Sequence, residues 1–221
     1  MTDAGVAVGD AMVDPTAEVG DGVTVGPGTI VGPRARVERG AIIGADCRIG
    51  RDAFVDRDVR IGDRVVIEDG ALLYRGVTIE DGVFVGPGVI VTNDRYPRAI
   101  TPDGVPPIDP DRDRRTIVLR LGCSIGASAV IVPDCVIDRF ATVGASAVVA
   151  RDVPAHSLVV GSPARRIGWV CECGTRLADS NGAPAPAEVE RYATDPLLTC
   201  PRCDRRYTYV PADDALRERT R

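Results

Sequence analysis

From Val13 to Val91 every sixth residue of the chain is Val, Ile or Leu, and the phase never slips. The series runs Val13, Val19, Val25, Val31, Val37, Ile43, Ile49, Val55, Ile61, Ile67, Leu73, Ile79, Val85, Val91. It resumes at Leu119, Ile125, Ile131, Ile137, Val143 and Val149. A period of six fits neither an α-helix nor an alternating strand. It predicts one short strand and one turn, repeated, with a single inward aliphatic residue per unit. A sandwich of ordinary alternating strands would let the phase drift between strands, and none drifts here.

The residue four places after each aliphatic position is small or β-branched: Ala17, Val23, Thr29, Ala35, Ala41, Cys47 and onward to Ala147. Gly often follows the aliphatic residue directly, as at Gly26, Gly44, Gly62, Gly126 and Gly144. This pattern resembles the hexapeptide repeat of the left-handed parallel β-helix. The resemblance implies an all-β fold of about seven triangular coils, three repeats to a coil, with glycine relieving the corners. Each coil would bury its inner face only against its neighbours. Residues 92–118 break the lattice, carry five prolines and return in shifted phase, so they read as an inserted loop with a functional role. Val6–Gly9 read as a partial cap strand, and residues 154–156 and 161–166 are expected to leave the prism. The organisation expected is a β-helix over 1–168 followed by a small module over 169–221.

Composition narrows the functional classes. A net charge of −5 argues against a nucleic-acid partner. No apolar run is long enough to span a membrane and no signal peptide is read at Met1, so a cytoplasmic protein is expected. Every basic side chain among the 27 is Arg, which removes lysine-based Schiff-base chemistry. Of seven cysteines, Cys47, Cys123 and Cys135 fall on the small-residue position and read as packed interior thiols.

Five ordered segments resemble a narrower group, the N-acetyltransferases that act on nucleotide-linked 3-amino sugars. They are IGDRVVIEDG (61–70), LLYRGVTIEDGVFVGPGVIVTND (72–94), YPR (96–98), DRRTIVLRLGCSIGASAVI (113–131) and VGASAVVARDVPAHSLVVGSPARRIGW (143–169). The resemblance implies a homotrimer, with acetyl-CoA along the groove between neighbouring prisms and a UDP- or dTDP-linked amino sugar near the inserted loop. Gly50-Arg51-Asp52 departs from the group, which often has Gly-Gln-Asn there, so some sugar contacts are expected to differ. The cysteine-bearing tail is not typical of the group either.

The chain holds one histidine, His156, in the exit segment, where it reads as a packing residue. O-acylation needs a base to deprotonate a hydroxyl. A sugar amine, with a pKa of ~8, is partly neutral at neutral pH and needs little activation. The scarcity of histidine therefore favours N-acylation over the rival reading of a sugar O-acetyltransferase. It also excludes a three-histidine metal enzyme on the same fold. Asn93 is the candidate catalytic residue, its amide holding the amine or the thioester carbonyl; capping of the broken strand is its structural alternative. Tyr74, Glu80, Asp81, Arg98 and Arg115 are candidate substrate contacts, the arginines for a diphosphate or carboxylate. By resemblance Gly126, Ala127, Gly144 and Ala145 would line the pantetheine path, and Arg165 and Arg166 would meet the CoA phosphates.

Cys171 with Cys173 and Cys200 with Cys203 form two close pairs outside the lattice. The second has the usual two-residue spacing of a zinc knuckle and the first only one. With Leu177, Tyr192, Tyr207 and Tyr209 nearby they predict a small zinc-ribbon-like module, a disulfide set being the alternative. Such a module is too small to fold on apolar burial alone, so structural zinc is the expected staple. A non-catalytic scaffold that binds a partner through this ribbon is the remaining rival.

Overall fold

The computed structural model describes residues 7–8, 10–106, 116–179, 181–183, 185, 197–210 and 215–219. Among them there is no α-helix, and hence none long and apolar enough to cross a membrane. The six-residue lattice becomes two-residue strands, the second residue buried and the first facing out. The strands form three parallel sheets, each pairing a residue with the one 18 positions on, as in Val25↔Ile43, Ile49↔Ile67 and Val55↔Leu73. Three repeats therefore make one coil of a parallel β-helix. We call the faces sheet I (through Val25, Ile43, Ile61, Ile79, Leu119 and Ile137), sheet II (through Val31, Ile49, Ile67, Val85, Ile125 and Val143) and sheet III (through Val37, Val55, Leu73, Val91, Ile131 and Val149). The cap strand Ala7–Val8 pairs with Thr24–Val25 at the start of sheet I.

The reason for glycine after the aliphatic position differs from the one expected. Gly26, Gly44 and Gly126 do not carry the turn's left-handed backbone. A Cβ on Gly44 would lie 2.5 Å from the Gly62 carbonyl oxygen, and one on Gly126 would lie 2.5 Å from the Ala145 nitrogen. Stacked coils approach too closely there for a side chain. The left-handed residue comes two places later, as at Asp52 (φ 55°), Arg64 (φ 56°), Ser128 (φ 57°) and Phe140 (φ 56°). Interior polar groups serve the stack as well: Thr29 Oγ1 donates to the Gly44 carbonyl at 2.8 Å and accepts from the Cys47 N–H at 2.9 Å.

The insertion leaves the stack intact. Ile79 pairs with Leu119, Val85 with Ile125 and Val91 with Ile131, so the register stays aligned on both sides of the extra segment. The C-terminal exit departs from expectation. The chain does not leave the prism at residue 154. Val153 bridges to Ile137, and Ser157–Val160 adds an eighth parallel strand to sheet II beside Thr142–Val143. That last coil pairs Val143 with Val159, two residues short of the period, which is why the lattice hid it. Arg165–Trp169 then turns back antiparallel to Ser157–Val160.

Two hydrophobic clusters result. The first runs through the prism from Val23 to Ala164 and is almost wholly Val, Ile, Leu, Ala and Cys. The second gathers Trp169, Leu177, Leu198, Tyr207, Tyr209 and Leu216 around the cysteine pairs. It is covered by an antiparallel sheet of Leu197–Thr199, Arg206–Val210 and Ala215–Glu218. Tyr192 lies outside the described residues.

Candidate functional site

Each corner of the triangle stacks residues 18 apart, so the coil register decides which candidates meet. Tyr74 and Asn93 belong to the edge between sheets III and I. Tyr74 N–H donates to the Val91 carbonyl at 3.2 Å, and its half-buried ring meets Phe54 edge-on at 5.6 Å. Asn93 follows one coil later, half-buried, at the mouth of the insertion. The strand end beside it is tied by Thr92, whose N–H and hydroxyl both donate to the Ile131 carbonyl, at 3.0 and 3.1 Å. Among the described residues the Asn93 amide has no hydrogen-bond partner, so the capping role falls to its neighbour. Directly beneath Asn93 in the stack sits Arg75, only 7 % exposed, a residue the sequence reading missed. Its signal was its place 18 residues before Asn93.

Glu80 and Asp81 lie on another edge, between sheets I and II. Glu80 accepts a hydrogen bond from the Leu121 N–H at 2.9 Å. Asp81 accepts from the Asp63 N–H at 2.9 Å and pairs with Arg64 at 2.9 Å. Both acids thus brace one coil against the next. Gly126, Ala127, Gly144 and Ala145 occupy the third edge, between sheets II and III, in two consecutive coils. Gly126 N–H donates to the Val143 carbonyl and Gly144 N–H to the Val159 carbonyl, both at 2.8 Å. Within one protomer the candidate catalytic residue, the acid pair and the CoA path therefore fall on three separate edges.

The arginines are dispersed. Arg98 is exposed on the insertion and its guanidinium donates to the Pro97 carbonyl. Arg115 lies outside the described residues. Arg165 and Arg166 begin the strand that closes the edge of sheet II antiparallel to Ser157–Val160, and there Arg166 stacks over the Trp169 ring at 4.3 Å.

His156 is a packing residue at a left-handed corner (φ 62°), 4 % exposed between the rings of Phe140 and Tyr207 at 5.4 and 5.1 Å. Its Nδ1 donates to the Val170 carbonyl at 3.0 Å. Burial holds its pKa below the usual histidine value, against that hydrogen bond. The interior thiols Cys123 and Cys135 are raised chiefly by burial, Cys135 to about 11, so they stay protonated and inert.

The four remaining cysteines converge, with all Sγ atoms within 4.8 Å of one another. Cys171–Cys203 and Cys173–Cys200 are 3.5 Å apart and Cys173–Cys203 3.8 Å. A bonded pair needs ~2.05 Å, so these are free thiols. A tetrahedral thiolate site with metal–sulfur bonds of about 2.3 Å has sulfur–sulfur edges of about 3.8 Å, and the set fits it. The two turns are built alike: Gly174 and Asp204, each just after the second cysteine, take left-handed backbone (φ 82° and 58°). Burial acts to raise the Cys173 thiol, but hydrogen bonds to Thr175 and to the neighbouring sulfurs outweigh it and draw it down to about 6. Arg205 approaches Cys203 Sγ at 3.8 Å and brings positive charge to a set that is anionic when loaded.

Residues 58–93 match the family described as bacterial transferase hexapeptide (six repeats). The matched residues lie within the β-helix. One curated relative, the dTDP-3-amino-3,6-dideoxy-α-D-galactopyranose 3-N-acetyltransferase of Aneurinibacillus thermoaerophilus, is 48 % identical over 68 residues. That alignment covers 31 % of this chain, and the chain spans 35 % of the relative's length. Among solved structures, a single-site mutant of AntD, an N-acyltransferase from Bacillus cereus bound to dTDP-4-amino-4,6-dideoxyglucose and coenzyme A, superposes with TM-score 0.46 at 19 % identity. It covers 74 % of this chain and 82 % of its own. A GDP-perosamine N-acetyltransferase mutant from Caulobacter crescentus, bound to CoA and GDP-perosamine, gives TM-score 0.36 at 22 % identity over 72 % of this chain and 54 % of its own.

Proposed function

We propose that this chain is an acetyl-CoA-dependent N-acetyltransferase acting on a nucleotide-linked 3-amino sugar. The observation that carries the reading is the 48 % identity over 68 residues to an enzyme named for that reaction. The surroundings of the one histidine support it. His156 is buried, its Nδ1 is engaged with Val170, and it sits on a different edge from Asn93. Such a residue is badly placed to serve as a base, and an amine with a pKa of ~8 does not require one. The neutral amine attacks the thioester carbon, the N–C bond forms, the C–S bond breaks, and CoA leaves as a thiolate. The amine's surplus proton passes to solvent. Asn93 orients the amine through its amide oxygen or the thioester oxygen through its amide N–H.

The working unit in this reading is a homotrimer. One protomer spreads the candidates over three edges, and a threefold assembly sets unlike edges of neighbours side by side. Sheet III offers a face for such packing: Phe54, Leu72, Ile90, Val130 and Val148 form an outward, half-buried apolar stripe over five consecutive coils. We assign residues 1–168 to the acyltransferase unit and 169–221 to a zinc-stapled module. Cys171, Cys173, Cys200 and Cys203 would hold the ion and keep it from open coordination chemistry. The free thiols suit a reducing, cytoplasmic setting.

The test is transfer from acetyl-CoA to a UDP- or dTDP-linked 3-amino sugar, set against the 3-hydroxy analogue and followed by thiol release. Acylation of the amine alone is expected. Asn93→Ala should lower kcat by about 10²- to 10³-fold, the usual effect of losing one oriented donor. Acylation of the hydroxyl compound alone would overturn the reading.

A further inference from the structure

The module lies against the prism, and between them is a cleft of about 430 Å³. One wall is the edge between sheets I and II, from Glu80 through Arg120 and Leu121 to Arg139. The other wall is Leu216 and Arg217 of the module's last strand. We infer that this cleft binds the diphosphate of a nucleotide ligand, and that supplying its second wall is what the module does for the enzyme. The inference rests on the transferase reading above.

Charge points to the ligand class. The lining holds three guanidinium groups and two carboxylates, with Arg120 near Asp138 and Arg217 already engaged. Both carboxylates are already engaged. Glu80 accepts from the Leu121 N–H at 2.9 Å, and Asp138 accepts from the Arg139 N–H at 2.7 Å and lies 3.6 Å from Arg120. Among the described residues no carboxylate comes within ion-pair reach of the Arg139 guanidinium. Arginine forks suit phosphate oxygens, and several of them outbind one. Leu121, 43 % exposed at the rim, offers apolar contact to a ribose or base. The volume falls within the ~300–1,000 Å³ of small-molecule sites.

The thiolate cluster sets the second wall. Tyr207 meets Cys171 Sγ through its hydroxyl at 3.1 Å and His156 at the prism corner through its ring. The strand it belongs to pairs Tyr209 with Leu216 and Thr208 with Arg217. Leu216 is buried in the module's core, so Arg217 keeps its place only while that core holds. Loss of the metal should therefore release this wall without touching the other.

Calorimetry on the full-length, metal-loaded protein tests this with UDP, dTDP and CoA as separate probes. Arg139→Gln and Arg217→Gln are each expected to weaken at least one probe by about tenfold, as for the loss of a charge-assisted contact, with the melting temperature unchanged. Chelation should weaken the same probe while the β-sheet circular dichroism persists. Weakening of UDP or dTDP alone assigns the cleft to the acceptor, and of CoA alone to the donor; either supports the diphosphate site. Unchanged affinity for all three probes in both variants overturns the cleft but leaves the transferase reading standing. A wild-type protein that binds none of the three overturns both.

Discussion

The prism and the module bury their cores by opposite means. In the prism one position in six is aliphatic, its partner lies 18 residues away, and each coil repeats the solution of the last. In the module, contacts reach from Cys171 to Cys203 and Tyr207, the core is aromatic, and no period exists. A repeat stack gains stability by nearest-neighbour terms, so local damage stays local. On the zinc reading proposed above, the module depends on one centre, so damage there would be total.

The largest expected effect follows from that contrast. Cys200→Ser, or a strong chelator, should abolish metal binding and unfold the module, since structural zinc sites carry on the order of 10 kcal/mol. Metal analysis should give one ion per chain in the wild type and none in the variant, with the prism's β signal retained. Collapse of both regions together would break the comparison. Next comes Ile67→Ala in mid-prism, where the side chain is 1 % exposed. It should cost about 2–5 kcal/mol, read as a lowered thermal transition of the prism with metal content intact. Gly44→Ala should cost less, about 1–3 kcal/mol, because its Cβ must displace the Gly62 backbone of the next coil.

The smallest effect concerns the seam between the regions. The folded-state pKa of His156 lies below its ordinary value because burial disfavours the charged ring. Between that depressed pKa and ~6.5 the unfolded chain binds the proton and the folded one does not. Stability is therefore undiminished above pH ~6.5 and falls as pH drops below it. His156→Asn, which tolerates the left-handed backbone, should remove this part of the acid slope. Subtracting the variant's profile from the wild type's separates it from protonation of the thiolates. Identical slopes would show that the seam does not titrate.

The prism was legible because its signal is periodic and repeated. Val13 to Val149 gave the strands, the inward residues and the insertion directly. Where a single coil runs two residues short, after Val149, the same reading failed and began the exit at residues 154–156, ahead of the last strand Ser157–Val160. The left-handed corners were legible only in part: Gly and Asp hold many of them by their own preference, whereas Arg64, Ser128, Phe140 and His156 are held there by the stack. The candidate residues are legible one at a time, but their separation onto three edges lies in the coil register and not in any one motif. Counting repeats in threes from Tyr74 would have shown it. In the tail, the cysteine spacing revealed the ligand set, while the Tyr207 contact to His156 spans 51 positions with no pattern to announce it.

Because Ile79 still meets Leu119 across the extra segment, that corner can change length without disturbing the layers above or below. Lengthening such an excursion costs only ring closure, roughly 0.6 kcal/mol for each doubling. On the transferase reading proposed above, a scaffold of this kind would acquire a new acceptor preference by splicing a different stretch of chain into one vertex, leaving the rest of the molecule unaware of the exchange.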